Sequence, residues 1–146
     1  MISCQDVANY FLSLCDEDAG DLISNLKLQK LVYYAQGFHL AISGEPLFDE
    51  KIMAWEHGPV IPQLYHKYKE YKACAIPPDE NFDISTIPPS SRELLDEVYS
   101  VLGQFSAWKL RNMTHEEPPW KEAYEGDGVI THESMIDYFK TLLKNV

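Results

Sequence analysis

The feature that most constrains this chain is one helix. From Leu26 to Ser43 the residues LKLQKLVYYAQGFHLAIS place apolar side chains on most sides of a helical wheel. At about 100° per residue, Leu28, Leu31, Val32, Ala35, Phe38, His39 and Ile42 fall in a stripe roughly 120° wide, which Tyr34 and Ala41 widen. A helix apolar on most sides has to be buried on most sides. The pattern predicts a central helix over about 25–43, with the other elements packed round it. Ser24 and Asn25 are both good N-caps for it, and Gly44 is its breaker.

The flanking segments read as shorter pieces. Ser3 to Asp6 has capping-box spacing, and Val7, Tyr10, Phe11 and Leu14 follow on one helix face. The acidic run Cys15 to Asp21 opposes the helix dipole and ends that helix near Leu14 to Asp16. After Gly44 comes a turn, then a short extended run through Ile52 and Ala54 that Gly58-Pro59 stops. Val60 to Tyr71 is a further helix with Pro62 in its first turn. Residues 72–89, with two Pro-Pro pairs, form a loop that Ile76, Phe82, Ile84 and Ile87 pin to the domain.

Ser90-Ser91-Arg92-Glu93 is a capping box for a helix whose face is Leu94, Leu95, Val98, Val101, Leu102 and Phe105. Ser106 caps a short helix to Met113, and Pro118-Pro119 starts a turn through Tyr124. Thr131 caps the last helix, with Met135, Ile136, Phe139, Leu142 and Leu143 buried and Lys140 and Lys144 in its last turns. The fold class is mainly α: one compact helical domain spanning 1–146, with at most a small, two-stranded β element near 47–57.

Charge narrows the function. Twelve basic and 23 acidic residues give a net charge of −11. Binding nucleic acid means neutralising phosphates with Lys and Arg, so direct DNA or RNA binding is a poor fit. A basic protein partner suits the field better, and the same excess of acid keeps a domain soluble. Cys4, Cys15 and Cys74 are sparse and odd in number, which fits a reducing cytoplasm and argues against a disulfide framework. The first residues lack the pattern of a signal peptide, and no run is long enough for a membrane span.

Catalytic chemistry is not encoded. His57 and His115, with Glu56 and Glu116, lack the spacing of metal ligands, and no Ser or Cys sits in a nucleophile motif. The chain reads as a binding protein, not an enzyme, and implies no metal or cofactor. His39 is expected to be a hydrogen-bonded core histidine. On the central helix Gln29, Tyr33 and Gln36 repeat at i, i+4 and i+7, off the main stripe. Two readings stay open for them: a polar-aromatic contact strip, or buried hydrogen-bonding groups beneath Trp55 to Pro59. Together with Trp55, His57, Tyr65, His115 and Trp120 they are the candidates for partner contact, since Trp and Tyr dominate interface hot spots.

Five ordered blocks carry a resemblance to a known family. They are Leu26 to Leu31 with Tyr33 to Gly37; Pro46 to Glu50; Trp55 with Gly58 to Val60 and Tyr65; Thr114-His115 with Pro119-Trp120; and Ile130-Thr131 leading to Asp137 to Phe139. As a set, over Val7 to Phe139, they resemble the Panacea domain of antitoxins, the SocA-like and phage-associated GepA-like proteins. The resemblance implies a cytoplasmic antitoxin that neutralises a cognate toxin by direct protein contact. It also implies an alternative, an adaptor that delivers the toxin to an ATP-dependent protease, or a phage accessory protein of the same fold. The chain leaves no room for the DNA-binding domain that some members carry, so no nucleic acid is expected as a partner.

Overall fold

The computed structural model describes residues 1–143, and Lys144, expected in the last helical turn, lies outside them. Among the described residues there are seven α-helices and one small sheet. In chain order they are α1 (Cys4–Leu14), α2 (Asn25–Ser43), β1 (Ile52–Trp55), β2 (Gly58–Val60), α3 (Pro62–Tyr68), α4 (Pro89–Leu102), α5 (Ala107–His115), α6 (Pro118–Glu125), β3 (Val129–Ile130) and α7 (His132–Leu143). The fold is mainly α. Short 3₁₀ turns at Glu17–Ala19, Lys69–Tyr71 and Ile84–Thr86 punctuate the loops.

The central helix is α2. Ser24 Oγ accepts the Lys27 amide at its start, and Gly44 takes the left-handed conformation (φ 79°) at its end. Helices α1, α4, α5 and α7 all pack on it, as does strand β2. Helix α7 packs tightly on it, because Gly37 has no side chain where the Phe139 ring lies; a Cβ there would overlap the ring. Tyr33, Tyr34 and Phe38 all meet Phe139 edge-on. Helix α1 begins with the expected reciprocal cap: Asp6 N donates to Ser3 Oγ (3.1 Å) and Ser3 N to Asp6 Oδ2 (3.0 Å).

The sheet order is β2-β1-β3, both pairings antiparallel. Gly58-Pro59 does not stop a strand; it opens β2, and Glu56-His57 is the hairpin turn. Pro59 is tolerated because β2 is an edge strand. The third strand, only Val129–Ile130, pairs with Ile52 and Met53. Two residues are too short to show any alternation, and the sequence does not announce them.

Several side chains depart from expectation. Helix α4 starts at Pro89 with no side-chain cap, so Ser90 lies inside the first turn and does not cap it. Proline at N1 has its φ already set for a helix and needs no amide partner there. Ile42, Ile84, Val101 and Leu142 are exposed, and His39 is half-buried, not a core residue. His39 Nδ1 is 2.7 Å from Glu45 O and 3.3 Å from Ser43 Oγ, which ties the helix end to the following turn. Periodicity gives the direction of a face; it does not say whether a neighbour closes over it.

Candidate functional site: a groove beside the β-hairpin

The polar residues of α2 hold the β1–β2 hairpin in place. Gln29 Oε1 accepts the Ile61 amide (2.8 Å), and Gln29 Nε2 donates to Asn25 Oδ1 (2.8 Å). Asn25 Nδ2 in turn donates to Tyr65 O (3.1 Å). Two turns further on, Gln36 accepts from the Leu47 amide (2.7 Å) and donates to Phe48 O (2.8 Å). These amides replace water for backbone groups that would otherwise be buried unpaired. Gln29, Tyr33 and Gln36 are therefore interior groups, each at most 1% exposed. Of the two readings the sequence left open, the structure places them as buried hydrogen-bonding residues.

Tyr33 belongs to a second buried set. Its hydroxyl donates to Glu117 Oε1 (2.9 Å), and the Tyr34 hydroxyl donates to Glu117 Oε2 (2.6 Å). Burial pushes the Glu117 carboxyl up to about 7, against the hydroxyls of Tyr34, Tyr33 and Tyr138, which pull it down. The same burial raises all three tyrosines.

Trp120 and His115 clamp the hairpin from behind. Their rings stack at 4.0 Å and 8°, with Tyr124 stacked on the far side of Trp120. Trp120 Nε1 donates to Trp55 O (2.8 Å). Trp120 is nearly buried, 9% exposed. His115 Nε2 is buried without a hydrogen-bond partner. Burial lowers the His115 pKa first, then Arg111, Lys30 and His57; a backbone hydrogen bond at Glu56 opposes them.

In front of the hairpin lies a groove of about 440 Å³ between the β1–β2 turn, α2 and α3. Trp55, His57 and Tyr65 line it. Trp55 is half-buried and meets Tyr65 edge-on at 5.1 Å, while Tyr65 and His57 are exposed. Of the predicted contact residues, these three are brought together at one surface. His115 and Trp120 lie behind them, and Gln29 reaches the groove floor.

Beneath the floor is Lys30, fully buried. Its Nζ donates to Pro59 O (3.1 Å), and Gly58 makes room for it: a Cβ there would sit 2.8 Å from Lys30 Cε and 2.9 Å from Thr114 Oγ1. Gly58 also has φ 111°, which a side chain rarely adopts. Burial, with Arg111 adding to it, lowers the Lys30 pKa to about 7. Among the described residues the single ion pair is Lys121–Glu116, so no carboxylate answers Lys30.

The sequence model for the family described as "Antitoxin SocA-like, Panacea domain" matches residues 28–121, well over half of the chain. The chain belongs to this family. Antitoxin SocA from Caulobacter vibrioides (strain NA1000 / CB15N) is 32% identical over 117 residues, which cover 73% of this chain and 62% of that protein. The chain thus spans less than two-thirds of that relative's length. No solved structure matches it.

The matched segment of this Panacea domain holds the groove lining from Gln29 to Lys72, all of it but Asn25 and Leu26, together with Arg111, His115 and Trp120. The sequence reading missed Lys30, Lys69, Lys72, Arg111 and Glu117 as candidates. One signal was there to see: Lys30 is a charge in the middle of a helix whose apolar pattern demands burial on most sides. For Glu117 the partners, Tyr33 and Tyr34, come from another helix, and no local spacing marks it; Arg111 lies over Trp108, three residues back on its own helix.

Proposed function

We propose that this chain is an antitoxin that neutralises a cognate toxin protein by direct binding, and that the groove beside the β1–β2 hairpin is its contact face. Membership of the SocA-like family supports the antitoxin role. The observation that carries the contact face is the gathering of Trp55, His57 and Tyr65 on one concave surface, over a floor that α2 holds rigid through Gln29 and Asn25. Aromatic side chains with a polar rim, on a fixed backbone, are what a protein hot spot needs. No helix of the described residues is long and apolar enough to cross a membrane, and we place the pair in the cytoplasm.

The role is one of binding, not turnover. Among the buried titratable groups, Glu117 faces the hydroxyls of Tyr33 and Tyr34, and Lys30 the Pro59 carbonyl. The test is co-expression of this chain with the product of the adjacent gene, scored for growth and followed by co-purification. Rescue from a toxic neighbour with a stable complex is the expected result. Rescue without a complex, lost in protease-deficient cells, would replace capping by delivery to a protease. Growth arrest undiminished by this chain would overturn the antitoxin role for that pair.

A further inference from the structure

The distribution of charge round the groove is the reverse of the molecule's. The chain carries −11 overall, yet Lys30, Lys69 and Lys72 line the groove against one acid, the exposed Glu56. Just behind the hairpin turn, Arg111 lays its guanidinium over Trp108 at 4.4 Å, and the Trp108 ring is 6.3 Å from His57. Arg111 Nε and His115 Nε2 are both buried without hydrogen-bond partners. Among the described residues none of the three lysines or Arg111 has a carboxylate within ion-pairing distance.

Burying an uncompensated cation is expensive, and burial lowers the Lys30 pKa to about 7. Lys69 and Lys72 are exposed to water. An acidic chain has carboxylates in plenty to place beside all three, and here it sets none within ion-pairing distance. Lys72 adds a second mark. It is the single non-glycine with positive φ among the described residues (φ 53°, ψ −123°), a strained backbone held at the groove rim. Lys69 and Lys72 are exposed and free to contact a ligand directly, while Lys30 acts from under the floor, where its field is little screened.

We infer that this groove is a carboxylate subsite: it takes an Asp or Glu side chain of the partner protein, which supplies the charge that Lys30, Lys69 and Lys72 lack. A carboxylate fits better than a nucleic acid phosphate backbone. The cationic patch is one small concavity, and the acidic remainder of the surface repels a polyanion. The pairing gives specificity, because a toxin without an acid at that point leaves three lysines uncompensated. This inference rests on the antitoxin reading for the identity of the partner, but the subsite is testable on the chain alone.

The experiment is an NMR titration of the full chain with N-acetyl-glutamate N-methylamide, with the glutamine analogue as control and inorganic phosphate as competitor. The expected result is saturable shifts at Gly58, His57 and the Lys30 side chain with the glutamate probe and none with glutamine. The Lys30 titration midpoint moves to higher pH as the probe binds, which a purely structural lysine would not show. The exposed Lys72→Gln weakens the probe about tenfold, the loss of one charge-assisted contact, and Lys30→Met, which removes a charge beneath the floor but no contact, weakens it by less. Lys121→Gln, outside the groove, changes nothing. Equal binding of the glutamine probe, or of glutamate to both groove variants, overturns the subsite. Phosphate shifting the same residues at lower concentration than glutamate overturns the carboxylate assignment in favour of a phosphoryl ligand. A chain that rescues growth while its groove takes no carboxylate loses the subsite and keeps the antitoxin role.

Discussion

Two buried side chains make this fold sensitive to pH in opposite directions. Glu117 is raised from its ordinary 4.5 to about 7, so the folded chain keeps a proton that the unfolded chain releases. Its contribution to stability therefore falls as pH rises from about 4.5 to about 7. Lys30 is lowered from 10.5 to about 7, so the folded chain gives up a proton that the unfolded chain keeps. Its contribution rises from about pH 7 to about 10.5. Thermal melts from about pH 5 to about pH 8.5, below the range in which the raised thiols and tyrosines also respond, should carry these two opposed slopes, with a minimum near neutrality. Glu117→Gln should flatten its acid side, and Lys30→Met its alkaline side. A profile in which neither variant changes a slope would contradict both assignments. Trp120 acts at the same scale. Truncation to Ala should cost about 3–5 kcal/mol in unfolding free energy, because the ring is stacked on two sides and bonded to Trp55. An unchanged melting temperature with lost partner binding would make Trp120 an interface anchor instead.

At the scale of elements, the helices were legible where one pattern and one cap agreed. Helix α2 was readable from its all-round apolar face, Ser24 and Gly44; α1 from its capping box; α5 from Ser106, whose side chain accepts the Lys109 amide. Strand β3 was not, because its two residues are strand only through pairing with β1. The site was half legible. Trp55, His57 and Tyr65 stood out by residue type, and the structure puts them on one surface. The lysines did not, since a surface lysine is the commonest of residues and nothing local tells Lys72 from Lys67. The turn that presents Lys72 is strained, which yields a prediction. Lys72→Gly should stabilise the fold by roughly 0.5–2 kcal/mol by relieving the positive φ, and should weaken the complex with the toxin. Denaturant unfolding and a binding isotherm on the same preparation decide it. A variant both less stable and fully able to bind would remove the link between strain and contact.

Over the whole molecule the acidic field and the basic groove divide two tasks. Asp16, Glu17 and Asp18 are exposed on the loop after α1, where under the proposed binding role they would act at a distance on the encounter and not on the bound contact. Reversing their charge should slow association with a basic toxin at low salt more than it speeds dissociation. Equal association rates would remove long-range steering. The contact itself is asked of the groove. The most direct measurement is the affinity of the toxin for wild type and for Trp55→Ala and Tyr65→Ala, with melting temperatures recorded on the same proteins. A loss of at least about tenfold is expected for each variant, with the fold retained and growth rescue weakened in parallel. Folded variants that bind and rescue as the wild type does would contradict the hairpin groove as the proposed contact face.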